Sequence, residues 1–313
     1  MSVYRSFSEI DYNPNTVLTV GTFDGVHKGH QLIIKELLEA AKEESSRALI
    51  ITIHPHPQIV LQKENLKPIK LLSTIDERIK LLKYFGVNDI LVIPFTKEFS
   101  ETKPEDFVIK YLVDKIGLRK VLIGYDHLFG KNRGGDENLL YNLGNEYNFK
   151  IQKLGPLSDK ELPISSTKIR NSILNFDLET ANQMLGYSYF IEGEVIVGEK
   201  IGAKLGFPTA NIKLPDENKL LPPNGVYIVS SDIDGKKVWG MSNIGYRPTF
   251  NNEKRISFEV NFFDFSDNIY GKELTIHFLK FLRFEQKFAG VEELIIQLEK
   301  DKIKAKDYIK TIF

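Results

Sequence analysis

Hydrophobic positions along this chain fall into two textures. Up to about residue 185, short aliphatic, β-branched runs at 17–20, 48–53, 90–93, 121–123 and 149–154 are each followed closely by Gly, Pro or His. Short aliphatic runs of that kind predict buried strands. Between them apolar residues recur at helical spacing: Leu32, Ile33, Leu37, Leu38 and Ala41, then Ile75, Ile79, Leu82 and Phe85, then Phe107, Val108, Tyr111 and Leu112. Each stripe predicts a helix with one face on a core. Strands and helices that alternate imply right-handed βαβ units and a mainly parallel, doubly wound sheet, with ligands at the carboxyl ends of the strands.

From about Tyr187 the pattern changes to strands at 191–197, 225–231, 237–244, 256–263 and 274–281. They are separated by turn residues, among them Asp234-Gly235 and Tyr270-Gly271. This predicts an antiparallel barrel or sandwich. Val291, Leu294, Ile295 and Leu298 then mark a closing helix that Ile303 and Ile309 extend. The expected division is an α/β domain at 1–185 and an all-β domain with a terminal helix at 186–313. No internal repeat or low-complexity tract interrupts either part.

Composition narrows the partners. The 313 residues carry 42 Lys plus Arg against 42 Asp plus Glu, and the first 186 hold 24 of each. Neither part has the basic excess that phosphate-backbone binding needs, so a small-molecule partner is expected and a nucleic acid is not. No apolar run approaches the roughly 20 residues of a membrane span, and the first residues include acids and Pro14, so a cytoplasmic location without membrane is expected. The absence of Cys excludes disulfides, thiolate metal sites and cysteine nucleophiles. Five of six histidines, His27, His30, His54, His56 and His127, fall in the first part.

The first strand runs into Gly21-Thr22-Phe23-Asp24-Gly25-Val26-His27-Lys28-Gly29-His30, and a helix follows. Glycines at 21, 25 and 29 allow close approach of backbone to a ligand, and a helix N-terminus suits phosphate. His27 and His30, three apart on a first helical turn, can aim at one phosphate; a capped helix start with surface histidines fits the same letters. Pro163-Ile164-Ser165-Ser166-Thr167-Lys168-Ile169-Arg170 offers three hydroxyls at another helix start with two cations in the next turn. Alone it reads equally as an ordinary Ser cap. Together the segments resemble the nucleotidylyl-transferase superfamily, whose HxGH turn and later SSTxIR-type turn hold the triphosphate of ATP. A class I aminoacyl-tRNA synthetase shares HxGH but would need a lysine-rich KMSKS-type loop and an RNA-binding appendage, and neither is present.

The second part opens with a glycine-spaced loop, Gly198, Gly202 and Gly206, beside Lys200 and Lys204, followed by Phe207-Pro208-Thr209-Ala210-Asn211. Such a loop can wrap phosphates, and Thr209 and Asn211 share one side if extended. Neutral oxygens suffice for magnesium when phosphates carry the negative charge; a Gly/Pro turn is the plainer reading of the same residues. At 257–263 alternation puts Glu259, Asn261 and Phe263 on one face, where Glu259 is either a proton acceptor or an ordinary barrel carboxylate.

GFPTAN at 206–211, GVY at 225–227, NIGYRPTF at 243–250, FEVNFFDF at 258–265, IYG at 269–271 and FLRFEQKF at 281–288 resemble the riboflavin kinase domain. With GTFDGVHKGH ahead of them, nearly the whole chain resembles the bacterial bifunctional riboflavin kinase/FMN adenylyltransferase family. That resemblance implies a Rossmann-like nucleotidylyl-transferase domain and a kinase barrel, with riboflavin, FMN and ATP as partners and magnesium as cofactor. It implies that His27 and His30 act on the ATP phosphates in adenylyl transfer, within a site of Gly21, Phe23, Gly25, Gly29, Asp126, Ser165, Ser166, Thr167 and Arg170. In the kinase it implies an ATP site of Gly202, Lys204, Gly206, Phe207, Pro208, Thr209 and Asn211, with the metal at Thr209 and Asn211. Glu259 would be the general base, and Phe281, Arg283 and Glu285 would line the flavin side. The chain departs from the pattern at His127, which stands in a DFxFG-type motif, at Ala203-Lys204 in the kinase loop, which lacks an Arg, and at Asn261, where His is usual. An adenylyltransferase for another phosphate ester, and a flavin-binding regulator without turnover, are the alternatives; retention of His27, His30, Thr209, Asn211 and Glu259 together weighs against the second, and product analysis separates the first.

Overall fold

The computed structural model describes residues 2–62, 68–124, 129–131, 134–155, 164–198, 202, 205–248 and 254–312. They form two compact units, Met1–Ser166 and Thr167–Phe313.

The first unit is built on six strands: β1 (Ser2–Tyr4), β2 (Thr16–Gly21), β3 (Arg47–His54), β4 (Asp89–Pro94), β5 (Leu118–Ile123) and β6 (Lys150–Lys153). All pairings are parallel, in the order β1-β4-β3-β2-β5-β6. Five of these strands are the expected aliphatic runs. The edge strand β1 is too short to carry a pattern. After β2 the chain builds β3 and β4 on one side and β5 and β6 on the other, so the carboxyl ends of β2 and β5 flank a topological switch point, where open α/β sheets bind ligands.

Helices Lys28–Glu43, Ile75–Tyr84, Phe107–Ile116 and Glu137–Tyr147 connect the strands. Leu18, Leu49, Ile51, Leu91 and Val121 pack with Val108, Leu112 and Ile116, all fully or almost fully buried, each such side chain contributing about 1.5–3 kcal/mol. The segment Phe107–Ile116 winds as a π-helix and stops at Gly117, whose φ of 88° and a Cβ that would lie 2.3 Å from Asn13 O both require glycine. Helix Ile75–Tyr84 starts with a capping box: Glu77 N donates to Thr74 Oγ1 (3.2 Å) and Thr74 N donates to Glu77 Oε2 (2.8 Å).

Helix Ser166–Leu174, which enters the second unit at Thr167, and helix Leu178–Leu185 precede β7 (Phe190–Ile196), β8 (Ala210–Lys213), β9 (Gly225–Ile233), β10 (Lys236–Pro248), β11 (Lys254–Phe262) and β12 (Glu273–Arg283). These close an antiparallel barrel in the order β10-β11-β8-β7-β12-β9. Asp234 and Gly235, with φ of 51° and 78°, make the tight β9–β10 hairpin that their dipeptide predicted. The four residues of β8 come from the segment read as a loop, because Gly206 and Pro208 mask the strand that follows.

Helix Val291–Thr311 lays Ile295, Leu298, Tyr308 and Ile309 against Phe207, Val226, Ile228 and Met241 of the barrel. Ile303 is exposed; the buried positions in this part of the helix are Asp301 and Ala305. Asp301 is fully buried because Arg283 Nε donates to its Oδ2 (2.8 Å) and Gln297 Nε2 to its Oδ1 (2.8 Å). Asp301→Ala removes a carboxylate whose partner guanidinium is only 18% exposed, and is expected to cost about 3–5 kcal/mol, read as a lower urea midpoint of the barrel transition.

Candidate functional site

The turn after β2 sits at the switch point and is held in an unusual backbone conformation. Phe23 (φ 49°), Gly25 (φ 80°) and Val26 (φ 34°) all lie in the left-handed region, two of them without glycine's freedom. Such strain persists only where surrounding bonds over-determine it, and the bonds are identifiable. Gly25 N donates to Ser73 Oγ (3.0 Å). Leu72 N and Ser73 N donate to the buried Asp24 carboxylate (3.1 and 3.0 Å). Thr52 Oγ1 donates to Thr22 O (3.1 Å), and Arg78 Nη1 donates in turn to Thr52 Oγ1 (3.1 Å) and Ile53 O (3.0 Å).

His27 caps helix Lys28–Glu43, its Nδ1 accepting from His30 N (3.4 Å), which leaves the proton of the neutral ring on Nε2. The His27 and His30 rings stack at 3.7 Å and 16°, and Phe23 lies 5.0 Å from His30. Gly29 is small for a reason: a Cβ there would press on the His27 ring at 3.2 Å. The paired imidazoles thus occupy the helix start. Burial lowers the pKa of His30 well below its ordinary value, with His27 and Arg78 adding to the effect, so the ring is neutral near pH 7.

The serine segment comes to the same place. Ser166 Oγ donates to Asp24 O (2.9 Å), and the Ile164 carbonyl is 3.9 Å from where a Gly29 Cβ would stand. Gly21, Phe23, Gly25, His27, Gly29, His30 and Ser166 are thereby gathered, with Ser165 half-buried next to Ser166. Thr167 and Arg170 continue helix Ser166–Leu174 within the second compact unit. Asp126, Pro163, Lys200 and Lys204 lie outside the described residues.

In the barrel, Glu259 of β11 is the register partner of Asn211 of β8. Thr209 Oγ1 donates to Glu259 Oε2 (2.9 Å) and Ser257 Oγ to Oε1 (2.9 Å), so both carboxylate oxygens are oriented. Asn261 Nδ2 donates to Pro208 O (2.7 Å) and anchors the segment carrying Thr209. The loop glycines are required by close approach: a Cβ on Gly198 would sit 2.1 Å from Asn211 Nδ2, and one on Gly202 would sit 2.3 Å from Phe207 O. Gly206 needs its φ of 81°. Among the described residues no group of three or more His, Asp or Glu could hold a metal, and the oxygens near Glu259 are the neutral ones of Thr209, Ser257 and Asn211. Hard oxygen donors of this kind fit magnesium.

On β12, irregularities in its pairing with β9 fall between Phe278 and Lys280 and between Phe281 and Arg283, and re-aim the residues after them. Phe281 packs with Tyr227, Phe176 and Phe284. Arg283 is committed to Asp301, and Glu285 reaches over Gly245, where a Cβ would meet its carboxylate. Sequence reading missed Ser73, Thr52 and Arg78, which support the β2 turn from 26 to 56 residues away. The strand run 48–53 and the helical stripe from Ile75 marked the elements that carry Thr52 and Arg78, but nothing in the letters distinguishes a buried Arg from a surface one.

A parallel sheet with a phosphate-type turn at its switch point, and a barrel with a carboxylate set among hydroxyls, describe a nucleotide-dependent transferase with two sites. The comparisons are specific. Residues 9–168 match the FAD synthetase family and residues 185–309 the riboflavin kinase family. The chain is 41% identical to the bifunctional riboflavin kinase/FMN adenylyltransferase of Listeria monocytogenes (92% of this chain, 90% of the relative), 35% to that of Bacillus subtilis (95% and 93%) and 30% to that of Escherichia coli K12 (98% of each). It belongs to the bifunctional riboflavin kinase/FMN adenylyltransferase family. A crystal structure described as a macrolide-efflux protein from Streptococcus pneumoniae superposes with a TM-score of 0.87 at 28% identity, over 97% of this chain and 98% of that one. No helix among the described residues of this chain is long and apolar enough to cross a membrane.

Proposed function

We propose that this chain makes FAD from riboflavin in two ATP-dependent steps, with the kinase in residues 186–313 and the adenylyltransferase in residues 1–185. The observation that carries the reading is that Thr209, Asn211 and Glu259 are assembled beside one another in the same chain as the stacked His27–His30 pair. A protein that only bound flavin would have no use for an oriented carboxylate.

In the kinase step Glu259 takes the proton of the riboflavin 5'-hydroxyl as that oxygen attacks the γ-phosphate of ATP; the bond to the β-phosphate oxygen breaks, and FMN and ADP result. Ser257 and Thr209 hold the carboxylate in place. Thr209 and Asn211 would hold magnesium. Bound there, the metal neutralises phosphate charge and favours the loose transition state. Gly202, Lys204, Gly206, Phe207 and Pro208 form the ATP loop, and Phe281, Arg283 and Glu285 form the flavin side, where Arg283 acts chiefly through its ion pair with Asp301.

In the second step an FMN phosphate oxygen attacks the α-phosphate of another ATP, the α–β bond breaks, and pyrophosphate leaves without a covalent enzyme intermediate. His27 and His30 donate to the phosphoryl oxygens as charge develops. Gly21, Phe23, Gly25 and Gly29 shape the turn, and Asp126, Ser165, Ser166, Thr167 and Arg170 hold the nucleotide. Purified protein given riboflavin and MgATP is expected to yield FMN, then FAD with pyrophosphate, followed by chromatography. Formation of neither product overturns the reading, and adenylylation of phosphopantetheine or nicotinamide mononucleotide in preference to FMN overturns the second step.

A further inference from the structure

Arg78 is the most unusual side chain in the first unit. It is fully buried, on helix Ile75–Tyr84, and of its guanidinium nitrogens only Nη1 has hydrogen-bond partners, Thr52 Oγ1 and Ile53 O; Nε and Nη2 are buried without a partner among the described residues. A guanidinium stays charged in a protein, so this is a buried cation with incomplete hydrogen bonding, a costly arrangement that packing alone does not require.

Two carboxylates account for the charge. Burial works against the Arg78 charge, and the carboxylates of Asp24 and Glu77, both completely buried, favour it. Each is there as a hydrogen-bond acceptor: Asp24 for Leu72 N and Ser73 N, Glu77 for Thr74 N. Together they fix the segment that supports the strained turn through Ser73 Oγ. Their charge, however, is carried by the turn that must receive a polyanion, through Asp24, and by the start of the helix next to its brace, through Glu77, in surroundings that screen poorly. Asp24 belongs to the turn itself, between Phe23 and Gly25.

We propose that Arg78 is a positioning residue for adenylyl transfer: it is the counter-charge that lets the nucleotide turn be braced by two buried carboxylates and still accept a triphosphate. It also ties the turn to β3 through Thr52, whose hydroxyl donates to Thr22 O. Arg78 is buried beneath the turn and acts through it, touching no substrate. The inference rests on siting adenylyl transfer at this turn.

The test uses steady-state kinetics of both reactions on the full chain. Arg78→Met is expected to raise the KM for ATP in FMN adenylylation by about tenfold, the effect of leaving buried carboxylate charge uncompensated near a polyanion site, with kcat changed much less and riboflavin phosphorylation unchanged. Glu77→Gln keeps an amide oxygen to accept from Thr74 N and removes one negative charge; added to Arg78→Met, it is expected to bring the KM back to near the wild-type value. Arg78→Lys retains the charge and is expected to keep a near-normal KM. An unchanged KM in Arg78→Met, no recovery in the double variant, or a KM in Arg78→Lys as high as in Arg78→Met overturns the counter-charge role. If Arg78→Met does not fold, a KM for ATP about tenfold above the wild-type value in either the double variant or Arg78→Lys overturns the counter-charge role. His30→Ala separates the two readings: if it leaves FAD formation intact the siting itself fails, whereas an inactive His30→Ala beside an unmoved KM in Arg78→Met overturns only the role of Arg78.

Discussion

Glu259→Gln is expected to slow riboflavin phosphorylation by about 10³-fold, the size of a general-base contribution, while FMN-to-FAD conversion continues at the wild-type rate. The substitution is nearly isosteric. Glutamine keeps an oxygen to accept from Thr209 Oγ1, and its amide N–H can donate to Ser257 Oγ, which the carboxylate now receives from. The β8–β11 pairing is carried by backbone, through Glu259–Asn211 and Val260–Ala210, and does not depend on the charge. What is lost is the capacity to take a proton from the attacking hydroxyl. The KM for riboflavin is therefore expected to move little while kcat falls, as for an interaction made only in the transition state. Initial rates of FMN formation at saturating MgATP check the first part, and FAD formation from supplied FMN checks the second. Loss of both activities in a folded Glu259→Gln protein would refute the separation of sites.

Asn261 shows why part of this site was legible and part was not. Alternation along 257–263 correctly put Glu259 and Asn261 on one face, since the period of a strand leaves no other choice. That Asn261 donates to Pro208 O, and so fixes the segment bearing Thr209, depends on a partner 53 positions away being brought back through the barrel. Local pattern cannot carry that information. The same holds in the first unit. The GTFDGVHKGH turn and its helix start were readable because glycine spacing and a helix N-terminus have local signatures. Its bracing by Ser73, Thr52 and Arg78 was not, because those residues come from β3 and the segment beyond it, and their burial is a property of the assembled sheet. Strand β8 was hidden for a different reason: four residues next to Gly206 and Pro208 read as a turn, and only pairing with β7 and β11 makes them a strand.

His30→Ala is expected to produce the opposite phenotype, a fall of about 10²–10³-fold in FAD formation from FMN, the usual loss when a donor to developing phosphoryl or acyl charge is removed, with riboflavin phosphorylation unaffected. Alanine deletes the ring that stacks on His27 at 3.7 Å and lies beside Phe23, but it keeps the His30 N–H that caps onto His27 Nδ1. The helix start therefore survives and the loss reports on the imidazole. Acidity gives an independent readout. Burial, and secondarily the His27 and Arg78 charges, hold the folded-state pKa of His30 well below the ordinary value near 6.5 that the unfolded chain shows. Below that value the unfolded state binds this proton and the folded state resists it, so the His30 contribution to stability is present above about pH 6.5 and is lost as pH falls beneath it. The urea midpoint of the wild-type first unit is expected to drop between pH 7.5 and pH 5.5 by more than that of His30→Ala. Bound triphosphate acts in the other direction, because its negative charge favours imidazolium, so ATP binding near pH 6 is expected to take up protons. Calorimetric heats should then depend on the ionisation enthalpy of the buffer in the wild type, and the dependence should shrink in His30→Ala. A variant with the same pH dependence of stability as the wild type would mean that His30 does not set that dependence, and an unchanged buffer dependence of the ATP heats would mean that some other group senses the phosphates at this turn.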